Sequence, residues 1–188
     1  MTGLDKLLDQ LIAIDVEATC WRNHPPAGQE SEIIEIGVCS VDVPTGRRLS
    51  KASILVRPGR SRVGRYCTAL TNLTQAQVDA GGTFAEACAL LQANYLTKQR
   101  PWASYGDYDR RMFQRQCRLW RVEYPFGSSH INVKNLVAVM HGWKREVGMP
   151  MALRRMGLLF EGTLHRGMDD AWNLGGIVGE LLRQWRAR

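Results

Sequence analysis

The chain has no Cys-x-x-Cys pair and no apolar run long enough to span a bilayer. Its five cysteines, Cys20, Cys39, Cys67, Cys88 and Cys117, are an odd number set far apart, which argues against both a disulfide framework and a zinc site. Cys39 and Cys88 sit inside apolar segments and read as plain core residues. The opening MTGLDKLLDQ lacks the basic-then-apolar order of a secretory signal, so a cytoplasmic protein is expected. Repeats, low-complexity tracts and linkers are missing too, and the 188 residues are read as a single domain, 1–188. Acid is scarce relative to base, with 18 Asp and Glu against 25 Lys and Arg and a formal net charge of +7.

What is present is ordinary for a folded protein, 45% apolar and 23% charged. The surplus base is clustered: Arg60, Arg62 and Arg65 crowd one loop, and Arg110, Arg111, Arg115, Arg118 and Arg121 stud one predicted helix. Such clusters favour polyanionic partners through phosphate contact and counterion release, although a merely solvated face has the same signature. LIAID, at 11–15, is a short branched apolar run that predicts a strand buried on both faces. A polar loop bearing proline and glycine follows at 22–31. EIIEIGVCSVDV, at 32–43, alternates as a long strand, Pro44-Thr45-Gly46 turns the chain, and RRLSKASILV pairs back, so an antiparallel meander opens the fold.

The pattern then turns helical. A short helix is predicted after Thr74 and a longer one after Thr83, which stands at capping-box distance from Glu86. Trp102–Tyr105 predicts a strand, and DYDRRMFQRQCRLW a helix whose Tyr108, Met112, Cys117 and Trp120 face the core. HINVKNLVAVMHGW predicts a brief strand and a helix, PMALRRMGL a short helix, and DDAWNLGGIVGELLRQWR a final helix in spite of its three glycines. Strands first, then alternating strand and helix, predict an α/β fold with a mixed central sheet flanked by helices.

Four carboxylates and one histidine stand at the ends of these elements. Asp15 and Glu17 lie two residues apart on a strand and so point to one side. Two acids there repel each other, and burial raises the cost. Either cationic side chains cover them or a divalent metal sits between them; Mg2+ favours one or two carboxylates with water and substrate phosphate. Asp109 opens a helix, where the macrodipole favours an acid, and Asp107 serves equally well as that helix's cap. Of Asp169 and Asp170 one caps the last helix and the other is free to face inward, and spacing alone leaves the choice open. His165 lies in a glycine-bearing loop beside them, and a near-neutral base is what water activation at a metal site requires. No such role is read for His24, His130 and His141.

Asp-x-Glu at a strand end, Tyr-Asp at a helix start, and His with Asp five residues on resemble the DEDDh 3′–5′ exonucleases, the superfamily of RNase T and the proofreading subunit of bacterial DNA polymerase III. DVEATCW, SEIIEIGVCSVD, LTNLTQAQVDAG, INVKN and HRGMDDAWN are most similar to the branch that trims histone-mRNA and small-RNA 3′ ends. The likeness runs from about residue 10 to residue 185. It implies an RNase H-like fold and two Mg2+ or Mn2+ ions, the first held by Asp15, Glu17 and Asp170, the second shared by Asp15 and supported by Asp109. It also selects Asp170 for the site and leaves Asp169 as the cap. His165 would then be the general base, hydrolysing single-stranded nucleic acid, RNA favoured, from its 3′ end to nucleoside 5′-monophosphates. By the same resemblance Ala18 and Thr19 would meet the terminal sugar, Trp21 would stack on a base, and Leu70, Thr71 and Leu73 would pack near the last nucleotide. Three alternatives remain: a DNA-directed 3′–5′ exonuclease, a short-oligonucleotide hydrolase, and an inert nucleic-acid-binding module.

Overall fold

Apolar runs this rich in Ile and Val bury as strands when helices cover both faces of a sheet. In the computed structural model, which describes residues 6–187, strands β1 (Gln10–Ala18), β2 (Ile33–Asp42), β3 (Arg48–Leu55), β4 (Trp102–Ser104) and β5 (His130–Asn132) form one sheet in the order β3-β2-β1-β4-β5. The first three are an antiparallel meander, and β4 and β5 join parallel to β1. β1 runs three residues beyond the predicted LIAID segment, and β2, read as alternating, is buried along nearly its whole length because both its faces are covered.

Helices α1 (Arg65–Thr71), α2 (Gln75–Asp79), α3 (Phe84–Tyr95), α4 (Tyr108–Trp120), α5 (Val133–Met140), α6 (Met149–Arg155) and α7 (Gly167–Arg186) complete the chain. Odd and even positions of β1 separate two apolar cores. Ile12, Ile14 and Val16 face α3 and α4 with Phe84, Leu91 and Phe113, while Leu11 and Ala13 face α5, α6 and α7 with Val137, Leu153 and Leu174. Thr83 and Glu86 make the capping box expected of α3, and Thr74 makes one with Gln77 on α2. Helix α1 was not predicted: Gly64 caps it without a side-chain bond, and two threonines in seven residues leave no helical periodicity, so Arg65 belongs to a helix and not to the arginine loop.

The glycines of α7 allow it to lie almost in contact with the sheet. A Cβ on Gly175 would stand 2.5 Å from Cys39 Sγ, and one on Gly179 would collide with the Gly46 carbonyl. At the helix start the approach is tighter still, since a Cβ on Gly37 would run into the Gly167 carbonyl. Gly37 pairs across the sheet with Asp15, so the missing side chain lies beside the first acid. Gly37→Ala is therefore expected to lower stability by about 1–3 kcal/mol through overpacking and to displace the first turn of α7. Gly64→Ala, where open space surrounds the new methyl, should change little. Urea unfolding of the two variants compares them directly; equal midpoints would refute the close-packing account.

Candidate active site

β1 presents Asp15 and Glu17 on the α7 side of the sheet, opposite Gly37 and Glu35 of β2. Asp170, in the first turn of α7, completes a trio in which one carboxylate oxygen from each residue lies within 4.8 Å of the other two. Asp109 reaches the same place from the first turn of α4. There β4 has ended, and the Asp109 Oδ1 accepts the Val16 N–H at 2.9 Å in place of a further strand. Asp15, Glu17, Asp109, Asp170 and His165 line one cleft of about 390 Å3, with Tyr105, Tyr108, Met149, Pro150 and Leu164 forming its walls. Thus the structure brings all five predicted residues together.

Glu35 holds this arrangement in register. It is fully buried, and its carboxylate accepts the Gly167 N–H at 2.9 Å, the Arg166 guanidinium at 3.3 Å and the Ser53 hydroxyl at 2.5 Å. A buried carboxylate on the N-terminus of α7 satisfies orphan donors and matches the helix dipole. His165, the residue before Arg166, adopts a left-handed conformation with φ 62°, which carries the chain sharply into the helix. Its side chain is exposed at the cleft.

The electrostatics are those of a site short of positive charge. Burial, then Asp109, Asp170 and Glu17, push the Asp15 carboxyl well above the usual range. Burial followed by Asp170 and Glu35 raises Glu17 to about 8, even with Arg166 opposing. Burial lifts Asp170 to about 7 against the backbone N–H groups that favour its charge, and Asp109 to about 6 against its bond from Val16. Arg166, the cation that opposes the rise at Glu17, is itself bound to Glu35. A hard divalent ion suits such a donor set: all ligands are carboxylate oxygens, close together and open to a cleft.

Several expectations require correction. Asp169 is not the cap of α7; Arg166 occupies that position without a side-chain bond. The Asp169 carboxylate instead accepts the Thr163 N–H and pairs with Lys51, both at 2.9 Å. Asp107 does occupy the N-cap of α4 but makes no capping bond, pairing with Arg110. Tyr108 faces the cleft, exposed, and not the core. Thr19 is buried, and its hydroxyl accepts the Glu32 N–H at 2.9 Å and donates to the Glu30 carbonyl. Thr71 is likewise internal, its hydroxyl bound to the Cys67 carbonyl and the Leu73 N–H, and Leu73 belongs to a small core with Ile34, Cys67 and Val78. The Ala18 methyl packs into the core against α3 and α4. Trp21 and Leu70 are half-buried, and none of these six lines the cleft. Tyr105, Leu164 and Glu35 went unassigned from sequence; only their place beside DYD, HRG and the quoted SEIIEIG pointed to them.

Residues 12–177 match the family model described as an exonuclease, of the RNase T type. The chain is 30% identical over 197 residues to the 3′-5′ exonuclease Snipper of Drosophila melanogaster, covering 92% of this chain and 69% of that protein. It is 28% identical over 190 residues to human 3′-5′ exoribonuclease 1, covering 95% of this chain and 54% of the relative, so it spans about half of that protein's length. The solved nuclease domain of 3′hExo, described as a DEDDh family member bound to rAMP, superimposes with a TM-score of 0.82 at 27% identity, over 96% of this chain and 95% of the other. A 3′-exonuclease structure described as recognising the histone mRNA stem-loop gives a TM-score of 0.83 at 27% identity, over 96% and 65%. The mixed sheet with flanking helices is the RNase H-like fold of these exonucleases. No helix among the described residues is long and apolar enough to cross a membrane.

The raised carboxyl groups make a prediction with a definite sign. Between the ordinary carboxylate range and about pH 6 to 8 the folded chain holds protons that the unfolded chain has released, so these groups cost stability as pH rises. The chelated protein should melt at progressively lower temperature from about pH 5 to pH 8, and millimolar Mg2+ or Mn2+ should suppress the fall by binding only the folded state. Differential scanning fluorimetry with and without chelator tests this; a chelated melting temperature that climbs over that range would contradict it.

Proposed function

The chain belongs to the exonuclease family, and on that premise we propose that it hydrolyses single-stranded RNA from the 3′ end, releasing nucleoside 5′-monophosphates. The observation that carries the reading is the trio of carboxylates, one oxygen of each within 4.8 Å of the other two, with Asp109 and His165 on the same cleft. Asp15, Glu17 and Asp170 would hold one Mg2+ or Mn2+ ion, and Asp15 with Asp109 a second. Divalent cations there supply, when bound, charge neutralisation for the scissile phosphodiester and a more acidic attacking water.

The chain's own groups account for the rest. A ring nitrogen of His165 takes the proton from the attacking water; the water oxygen bonds to phosphorus as the bond to the 3′ oxygen of the preceding nucleotide breaks. His165 is suited to this by its exposure at the cleft and by its place two residues before Gly167, whose N–H is held by Glu35. Tyr105 is fixed by its hydroxyl donating to the Val147 carbonyl at 2.9 Å, and with Tyr108 it offers aromatic surface to the terminal nucleoside. The narrow cleft favours an unstacked strand end over a duplex. The RNA preference rests on the relatives, one of which is named an exoribonuclease and another of which was solved with rAMP.

Matched 5′-labelled RNA and DNA strands, incubated with Mg2+, Mn2+ or chelator, should yield a metal-dependent ladder shortening from the 3′ side, faster on RNA. Asp15→Asn should abolish the ladder, and a protein still active after that change would defeat the proposal. His165→Ala should lower kcat by about 10²–10⁴-fold, the usual contribution of a general base, while the metal-induced rise in melting temperature persists.

A further inference from the structure

We infer that the outer face of α4, together with the loop at 57–62, is a track for the phosphates of the single strand upstream of the scissile bond. The inference rests on the exonuclease reading above and gives that site a direction. α4 begins at the cleft with Asp109 and ends at Trp120, about 16 Å away at 1.5 Å per residue. Arg111, Arg115 and Arg118 recur at helical spacing on the side away from Met112, Phe113, Gln116 and Cys117, which are buried. Around the far end of the helix, on the side of Trp120, lies the loop: the Arg60 guanidinium stands over the Trp120 ring at 5.2 Å, and Arg57 and Arg62 of the same loop are exposed.

Stability accounts for only part of this face: Arg118, in the last turn of α4, suits the macrodipole. A cation near a helix N-terminus opposes the macrodipole. Arg110 is compensated by Asp107 at 2.9 Å, but Arg111 has no such partner. Among the described residues, Arg57, Arg62, Arg111 and Arg118 make no salt bridge. The loop, by contrast, is held firmly. Glu32 is fully buried, and its carboxylate accepts three successive backbone N–H groups, from Gly59 at 3.0 Å, Arg60 at 2.9 Å and Ser61 at 2.6 Å. The same strand entry pairs with the end of β1, where the Thr19 N–H meets the Glu32 carbonyl at 2.8 Å. Arg115 ties the middle of α4 to this junction by donating to the Ser31 carbonyl. The arginines are thus mounted on a rigid frame continuous with the strand that carries Asp15 and Glu17. Unpaired guanidinium groups recurring along a helix tied to this frame are what a flexible polyanion would engage.

Fluorescence anisotropy with a labelled 12-nucleotide single-stranded RNA, in chelator and over a range of salt, tests the track without requiring turnover. The double variant Arg111→Gln, Arg118→Gln should bind roughly tenfold more weakly at low salt, with a log–log salt slope shallower by about 1.4, the share of two phosphate contacts on a single strand. Lys144→Gln with Arg145→Gln removes the same net charge from an exposed loop elsewhere and should stay within about twofold of the parent by the same relation. With metal present, the track variant should hydrolyse a dinucleotide at the parental rate but lose kcat/KM on the 12-mer. Equal weakening by the two double variants would assign the effect to net charge and overturn the track. So would an equal loss on dinucleotide and 12-mer, or a track variant that binds like the parent. If the parent binds with the arginine-dependent slope yet cleaves nothing, the track stands and the catalytic reading falls.

Discussion

Everything in this fold depends on holding mutually repelling carboxylates closer together than they would choose to be. Asp15 and Glu17 share a side because a strand alternates, but Asp170 arrives only because α7 lies almost on the sheet at Gly37 and Gly167. Backbone contact, without intervening side chains, sets that distance. The stripe of Gly175 and Gly179 continues the same contact along the helix, so glycines that weaken α7 as an isolated helix are what allow it to dock. The apolar side chains of α7, Leu174, Ile177 and Leu181 among them, supply the burial that offsets both the glycine cost and the charge repulsion.

Two further glutamates, neither of which lines the cleft, keep this assembly rigid by the same device. Glu35 and Glu32 are both fully buried on or just before β2, and both satisfy backbone N–H groups of another segment. Glu35 secures the start of α7 and hence Asp170 and His165; Glu32 secures the loop carrying Arg60 and Arg62. A buried carboxylate tolerates its desolvation only when donors surround it, so each of these residues fixes its target in one geometry and resists alternatives. β2 therefore acts as a central post, with the acid cluster braced from one of its residues and the basic loop from another three positions away.

The sequence made the two-residue step of Asp15 and Glu17, the strand segments and the capping box of α3 legible, because all of these are encoded by neighbours a few residues apart. The convergence of Asp109, His165 and Asp170 followed from resemblance, not from spacing, since nothing local ties a residue at 15 to one at 170. Asp170 joins Asp15 and Glu17 as that resemblance implies, but Asp169 is not the cap: its carboxylate found Lys51 and Thr163, partners that no helix-start rule supplies. The resemblance puts Thr19, Thr71 and Leu73 near the substrate, while in this structure their side chains are engaged in the junctions between elements. Glu32 and Glu35 were invisible as buried anchors. In SEIIEIG they stand three apart, so strand alternation sends them to opposite faces and marks neither, and their partners lie 18 to 132 residues away.

Charge geography links the two halves of the function. The chain carries surplus base, yet Arg166, the cation that opposes the rise at Glu17, is bound to Glu35 and points its charge at a residue outside the metal-ligand set. An arginine free to fold over Asp15 and Glu17 would neutralise them without providing the acidic water or the open coordination positions that hydrolysis needs. Excluding guanidinium groups from the cleft keeps the carboxylates in want of a small divalent ion, while placing those groups along α4 and the Glu32-held loop attracts the polyanion from outside. On the proposed reading, base kept outside and acid kept at the centre are two parts of one constraint: the arginines would attract the substrate while leaving the carboxylates to a divalent ion.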